Sequence, residues 1–68
     1  MKSISGRELA RAVEHQGWEL LRVHGSHHIY GRPGSEIRLT IPMHENQVLV
    51  DGLQHHIMVM AGLTEADL

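Results

Sequence analysis

The chain has 68 residues, including seven histidines and no cysteine, and carries a formal net charge of −2 at pH 7. A length of this order accommodates one domain, which we take to span residues 1–68. The lack of cysteine excludes disulfides and thiolate metal sites. No apolar run approaches the roughly 20 residues that a membrane span requires, and no signal-peptide pattern opens the chain, so we expect a cytoplasmic protein without a membrane segment.

The charges are distributed unevenly along the chain. All six lysines and arginines lie within residues 1–38 beside four glutamates, whereas residues 39–68 carry four acidic residues and no lysine or arginine. The two parts therefore sum to +2 and −4, and a polyanion would prefer the first, although an unevenly charged solvated surface accounts for the same numbers. So small a core is marginal, and we expect a partner or an oligomer to stabilise it.

Residues 5–16 predict a first helix. Ser5 and Glu8 have the spacing of a capping box, in which each side chain satisfies a free backbone N–H near the other residue. Apolar residues follow at helical spacing, namely Leu9, Ala12 and Val13. Gly17 then supplies a left-handed stop.

Three strands are predicted next, over residues 18–23, 27–32 and 36–42. His24-Gly25-Ser26 separates the first strand from the second, and Pro33-Gly34 is a turn signal. The third strand alternates, with one face formed by Ile37, Leu39 and Ile41. This pattern indicates a half-buried antiparallel strand that ends at Pro42 and is followed by a loop over residues 43–48.

Residues 49–61 predict a second helix, closed by Gly62. Its apolar stripe consists of Val50, Leu53, Ile57 and Met60. Residues 64–67 could form one further capped turn. The order helix, three strands, helix predicts an α+β fold with two helices packed on one face of a three-stranded antiparallel sheet, which is the topology of double-stranded-RNA-binding domains.

The segment Gly25-Ser26-His27-His28-Ile29-Tyr30 contains the strongest functional signal. Histidine exchanges protons near neutral pH, which suits acid–base chemistry on a polar substrate such as RNA. Because adjacent strand residues point to opposite faces, only one of the two imidazoles reaches solvent. That residue is His28 if Ile29 packs on the helices and His27 if Tyr30 does, and the sequence allows both.

RNA cleavage requires no protein nucleophile, since the 2′-hydroxyl of the RNA attacks its own phosphate. One positioned histidine can therefore serve it, with an acceleration of roughly 10²–10⁴-fold. The charge of the phosphorane could be stabilised by Arg22, Arg32 or Arg38, although for each arginine taken alone ordinary strand-surface charge is the simpler explanation. A metal site is the competing use of histidine, but the histidines have no recognised ligand spacing, so we expect no metal and no cofactor.

Three segments in this order resemble those of a known family: Gly17-Trp18 after the first helix, the Gly25–Tyr30 segment, and Ile41-Pro42-Met43-His44. The ending Ala61-Gly62-Leu63-Thr64 is similar as well. Over nearly its whole length the chain resembles the HicA-type (YcfA-like) toxins of toxin–antitoxin pairs.

The resemblance implies a double-stranded-RNA-binding-like fold and a metal-independent endoribonuclease (mRNA interferase) that uses a single histidine. It also implies inhibition by a HicB-type antitoxin that covers the active face. Carried over to this sequence, His27 is the first-choice catalytic residue and His28 the second. Gly25 and Ser26 would shape the substrate pocket, and Pro42 and His44 match a Pro-x-His motif that supports the site.

One departure from the family concerns the second helix. The family's helix commonly begins with Lys-Gly-Thr and carries further basic residues, whereas this chain has Val50-Asp51-Gly52-Leu53 and then His55 and His56. This difference keeps two alternatives open. One is a degenerate relative that binds an antitoxin or RNA without cleaving, and the other is a small histidine-rich metal-binding protein.

Overall fold

The computed structural model describes residues 2–68. Two helices and a three-stranded sheet follow one another in the order α-β-β-β-α, with a final 3₁₀ turn. Their bounds are α1 Gly6–His15, β1 Glu19–His24, β2 His27–Gly31, β3 Leu39–Pro42, α2 Asp51–Ala61 and the 3₁₀ turn Glu65–Asp67. Within the described part of the chain, neither helix has the length and apolar character needed to cross a membrane.

The predicted capping box begins α1. The Glu8 backbone N–H donates to Ser5 Oγ at 3.2 Å, and the Ser5 backbone N–H donates to Glu8 Oε1 at 3.1 Å. The hydrogen bonds from the Ser5 backbone and then from its hydroxyl hold the pKa of Glu8 below its usual value. The helix ends before Gly17, whose φ of +94° belongs to the left-handed region that glycine tolerates.

The sheet has the order β1-β2-β3 with both pairs antiparallel. Its helix-facing side contains Tyr30, Leu39 and Ile41, each at most 1% exposed. The other side, here called the open face, contains Arg22, Ile29 and Thr40 and is not covered by a helix. The helices thus pack on one side of the sheet, and the chain has the predicted α+β fold of the double-stranded-RNA-binding-domain type.

Strand β3 is shorter than the predicted 36–42. Its pairing with β2 begins at Leu39, opposite Tyr30. The Ile37 backbone N–H is satisfied locally instead, because it donates to Ser35 Oγ at 3.1 Å. A strand persists only where a neighbour pairs with it, so the alternating pattern of this segment overstates the length of the strand.

The apolar stripe predicted for α2 is partly wrong. Val50 is the N-cap residue and is 72% exposed, whereas Gln54 is completely buried. Gln54 is tolerated in the core because its side-chain amide satisfies the amino-terminal segment: its Oε1 accepts from the Ile4 backbone N–H at 3.1 Å, and its Nε2 donates to the Lys2 carbonyl. The backbone of Ile4 in turn accepts from the Leu49 N–H at 2.9 Å, which ties the start of the chain to the loop before α2.

The remaining boundaries differ from prediction by one or two residues. His24 belongs to β1, so the break between the first two strands consists of Gly25 and Ser26 alone. Gly62 ends α2 with a φ of +76°, as predicted. The further turn after α2 is confirmed as the 3₁₀ turn, capped by Thr64.

Candidate active site

A two-residue hairpin turn places the two central histidines. His24 and His27 are paired across β1 and β2, which leaves only Gly25 and Ser26 in the turn. Gly25 has a φ of +61° and Ser26 does not have a positive φ, the combination found in type II′ turns. The tight turn therefore fixes His27 as the first residue of β2.

Burial of Tyr30 decides which histidine reaches solvent. Tyr30 is 1% exposed, and its hydroxyl donates to Glu14 Oε2 at 2.8 Å. His28 lies on the same side of β2: it is half-buried, paired with the buried Ile41, and its ring centroid lies 6.5 Å from that of Tyr30. His27 is exposed and lies on the opposite side. Of the two alternatives left by the sequence, the structure selects the one that presents His27.

His27 borders a cleft of about 340 Å³ at the end of the sheet where β2 begins and β3 ends. His44 and Pro42 border the same cleft, so the structure brings together three of the residues that the sequence indicated. The rest of the lining consists of Gln47, Val48, Leu49, Val50 and Leu53. None of these five residues was predicted at the site, although Val50 and Leu53 were predicted in the apolar stripe of the second helix. The antiparallel pairing is the signal that could have indicated these residues. It places Pro42 opposite His27, so the loop that follows Pro42 begins beside that histidine.

The segment that carries His44 is held at both ends. On one side, the Met43 backbone N–H donates to the Ser26 carbonyl at 2.6 Å, which extends the pairing of β2 and β3 beyond Pro42. On the other side, the Gln47 backbone N–H donates to the His44 carbonyl at 2.9 Å and closes a turn. Glu45, within that turn, has a φ of +48°, a conformation that few residues other than glycine adopt. His44 is exposed but sits on a defined backbone.

The amino end of α2 forms another wall of the cleft. Val50 and Leu53 line the cleft, and Val50, as N-cap residue, makes no side-chain hydrogen bond to the first turn. The first backbone N–H groups of a helix carry a partial positive charge and favour anions nearby. The same first turn carries the acidic Asp51 and no basic side chain, so any attraction for an anion here comes from the backbone alone.

Two of the three predicted arginines lie on the open face. Arg22 is paired with Ile29, two residues along β2 from His27, and is exposed. Arg38 donates through one guanidinium nitrogen to the carbonyls of Ser35 and Ile37, both at 3.1 Å. Arg22 and Arg38 line one shallow depression of about 370 Å³, next to a bulge in β1. These two cations share the side of the sheet that His27 occupies.

Arg32 lies elsewhere. Its guanidinium carbon is 4.3 Å from the centroid of the Trp18 ring, a cation–π contact at the far end of β2. Arg32 follows His27 by five positions, just beyond the end of β2, which separates their Cα atoms by about 16 Å. The structure therefore does not bring Arg32 to the cleft. The contact with Trp18 gives Arg32 a packing role instead.

The other histidines are dispersed. His55 lines a depression at the end of α2, and His56 lines another beside β3. Within residues 2–68, no group of three or more histidine, aspartate or glutamate side chains converges closely enough to hold a metal ion.

Comparison with known families identifies the family to which the chain belongs. The family model described as the HicA toxin of bacterial toxin–antitoxin systems matches residues 6–63, from the start of α1 to the residue after Gly62. A comparison with curated proteins gives no match. The family match spans both helices, the whole sheet and the cleft with His27, and the chain belongs to the HicA family of toxins, which act in bacterial toxin–antitoxin pairs.

Proposed function

We propose that this HicA-family protein is an endoribonuclease that cleaves mRNA in the cytoplasm and requires no metal ion, with His27 as the proton-transfer group. The observation that carries the proposal is the placement of His27: it is exposed, held by a tight hairpin turn and directed to a cleft, whereas His28 packs beside Tyr30. A general acid–base residue must reach the substrate on a defined backbone, and His27 meets both requirements.

The chemistry follows from RNA itself. A neutral imidazole at His27 would remove the proton of a 2′-hydroxyl, and that oxygen would attack the adjacent phosphorus. The bond from phosphorus to the 5′-oxygen then breaks as that oxygen takes up a proton from solvent, leaving a 2′,3′-cyclic phosphate and a 5′-hydroxyl. Proton transfer of this kind typically accelerates a reaction by about 10²–10⁴-fold.

The negative charge of the phosphorane has two sources of stabilisation near His27. Arg22 lies diagonally across the sheet from His27, a separation that a long side chain can bridge. The amino end of α2 borders the cleft and adds backbone N–H groups of the polarity that phosphate prefers. Both support binding of RNA at this end of the sheet, where Gly25 and Ser26 would allow close approach of the substrate backbone.

Control by an antitoxin belongs to the same proposal. The family acts in toxin–antitoxin pairs, and we infer a partner of the HicB type that covers the cleft. Exposed apolar side chains beside the cleft, Val48 at 56% and Val50 at 72%, would be buried by such a partner. Their burial would also stabilise a small domain by mass action.

The test is cleavage of a defined RNA in the presence of EDTA. We expect the wild-type chain to cleave, and His27→Ala to lose at least about 10²-fold in rate while keeping its unfolding midpoint. His24→Ala is the matched control, because His24 is exposed and directly paired with His27 but does not line the cleft. Loss of activity in His24→Ala or His28→Ala, with His27→Ala active, would contradict the assignment.

A second candidate function is binding without cleavage. The absence of lysine and arginine beyond Arg38 favours it, since α2 presents histidines and valines where a basic surface would grip phosphates. A cleanly folded wild-type chain that binds RNA or antitoxin but yields no cyclic-phosphate product in the same assay would establish this alternative.

A further inference from the structure

We propose that His44 is the second proton-transfer group of the cleft, so that His27 and His44 act as a general base and a general acid on one phosphodiester. This inference rests on the proposed ribonuclease function and changes it from a mechanism with one histidine to a mechanism with two. It assigns a catalytic role to a residue that the sequence identified only as part of a Pro-x-His motif.

The first step is the shared position of the two imidazoles. His27 is paired with Pro42 across β2 and β3, and His44 follows Pro42 by two residues. Paired strand residues lie about 5 Å apart and two further residues span at most about 7 Å, so the two Cα atoms lie within about 12 Å of each other. Both residues border the same cleft of about 340 Å³.

The second step is the geometry of the reaction. The attacking 2′-oxygen and the departing 5′-oxygen lie roughly in line on opposite sides of the phosphorus. An imidazole placed to deprotonate the first is therefore on the wrong side to protonate the second. Two histidines that border one cleft can supply the two transfers from separate positions. The 2′-oxygen loses a proton to one imidazole and bonds to phosphorus, and the 5′-oxygen leaves with a proton from the other.

The third step is the charge environment of the cleft. Apart from the two imidazoles, its lining is uncharged: proline, glutamine, valine and leucine. The neighbouring acidic residues in sequence are Glu45, beside His44, and Asp51, at the start of α2. Histidine is the residue type that supplies both a protonated and a neutral form near neutral pH, so a pair in one cleft can provide acid and base simultaneously.

The other histidines do not meet these conditions. His28 is half-buried on the helix side of the sheet, and His24 does not line the cleft. His55 and His56 border separate depressions. His55 is exposed and borders a separate depression rather than the cleft, which makes His55→Ala a matched control for removal of one surface imidazole.

The first experiment is the pH dependence of RNA cleavage under single-turnover conditions. We expect a bell-shaped profile for the wild type, and for His44→Ala a loss of about 10²-fold or more with one limb of the bell missing. A residue that merely shapes the loop would lower the whole profile without changing its form. A His44→Ala variant with the rate and profile of the wild type and of His55→Ala would overturn the inference.

The second experiment uses an RNA with a bridging sulfur in place of the scissile 5′-oxygen. A thiolate leaves without protonation, so this substrate removes the requirement for a general acid but not for a general base. We expect it to restore most of the rate to one of the two variants, His27→Ala or His44→Ala, and not to the other. Restoration of both or of neither would refute the division of roles.

The outcomes separate this inference from the proposed function. A wild-type chain that cleaves, with His27→Ala inactive and His44→Ala fully active, retains the ribonuclease and eliminates the second histidine. A wild-type chain that does not cleave eliminates both.

Discussion

Replacement of Gly6 by alanine should destabilise the protein even though alanine is the better helix former. Gly6 is the first residue of α1 and is buried against the end of β3. An added Cβ would overlap the Pro42 carbonyl oxygen, and would lie 3.0 Å from the Pro42 carbonyl carbon and 3.4 Å from Ile41 Cγ2. The two nearest atoms belong to the backbone of a paired strand, so a side-chain rotation cannot relieve the overlap.

The magnitude follows from two opposing terms. Alanine in a helix is favoured over glycine by up to about 1 kcal/mol, whereas forcing extra atoms into a packed contact costs about 1–3 kcal/mol and occasionally more. Because α1 would have to shift relative to β3, we take the upper part of that range and expect a net loss of about 2 kcal/mol. A domain of this size has a total stability of about 3–10 kcal/mol, so the loss is a large fraction of it.

Equilibrium unfolding in urea measures the effect. With a slope near 1 kcal/mol per molar, the midpoint of Gly6→Ala should fall by about 2 M, and its thermal midpoint by about 8–16 °C. Gly52→Ala is the matched control, because Gly52 lies in α2 with no other atom within 4 Å of its added Cβ. That variant should gain about 0.4–1 kcal/mol. A Gly6→Ala midpoint at or above the wild-type value, with Gly52→Ala stabilised, would refute the reasoning.

Two further predictions concern buried polar groups. Gln54→Leu should lower the free energy of unfolding by about 1–3 kcal/mol, because it leaves the Ile4 backbone N–H buried without its acceptor. The exposed Gln47→Leu should change it little, and equal urea midpoints for the two variants would contradict the assigned role of Gln54. Tyr30→Phe should cost about 1 kcal/mol at pH 7 through loss of the hydrogen bond to Glu14. Burial, followed by that hydrogen bond, raises the pKa of Tyr30, so the folded state keeps a proton that the unfolded state loses above its ordinary pKa. The free energy of unfolding of the wild type should therefore keep its full value up to about pH 10 and should fall above it. The difference in this free energy between the wild type and Tyr30→Phe should then become smaller. A gap in urea-unfolding free energy that stays constant from pH 8 to pH 11 would argue against this.

The element order and most boundaries could be predicted because their causes are local. The Ser5–Glu8 capping box, the left-handed glycines at 17 and 62 and the turn at Gly25 each act within a few residues of backbone. The family match agrees with the resemblance carried by short segments at fixed spacing. These signals survive in a sequence because no distant residue is needed to produce them.

The length of β3 and the buried face of α2 could not be predicted because their causes are distant in sequence. Residues 36–38 alternate like a strand but lie outside the register that pairs β2 with β3, and the Ile37 backbone N–H donates to the nearby Ser35 side chain instead. Gln54 is buried because the backbone of residues 2–4, some 50 positions away, uses both ends of its amide. Only a completed fold places such partners together.

For the candidate site, the sequence by itself indicated the residues on which we base the proposal: a pair of histidines after Gly-Ser as catalytic candidates, and His44 after Pro42 as a supporting residue. It left the choice between His27 and His28 open, since a strand of period two allows either face to be buried. Tertiary structure decided it by burying the ring of Tyr30 among the helices, which turns His28 inward and His27 outward. It also placed His44 in the cleft with His27, because antiparallel pairing brings the end of β3 to the beginning of β2. Periodicity is a property of one strand, whereas the choice of face depends on what packs against it.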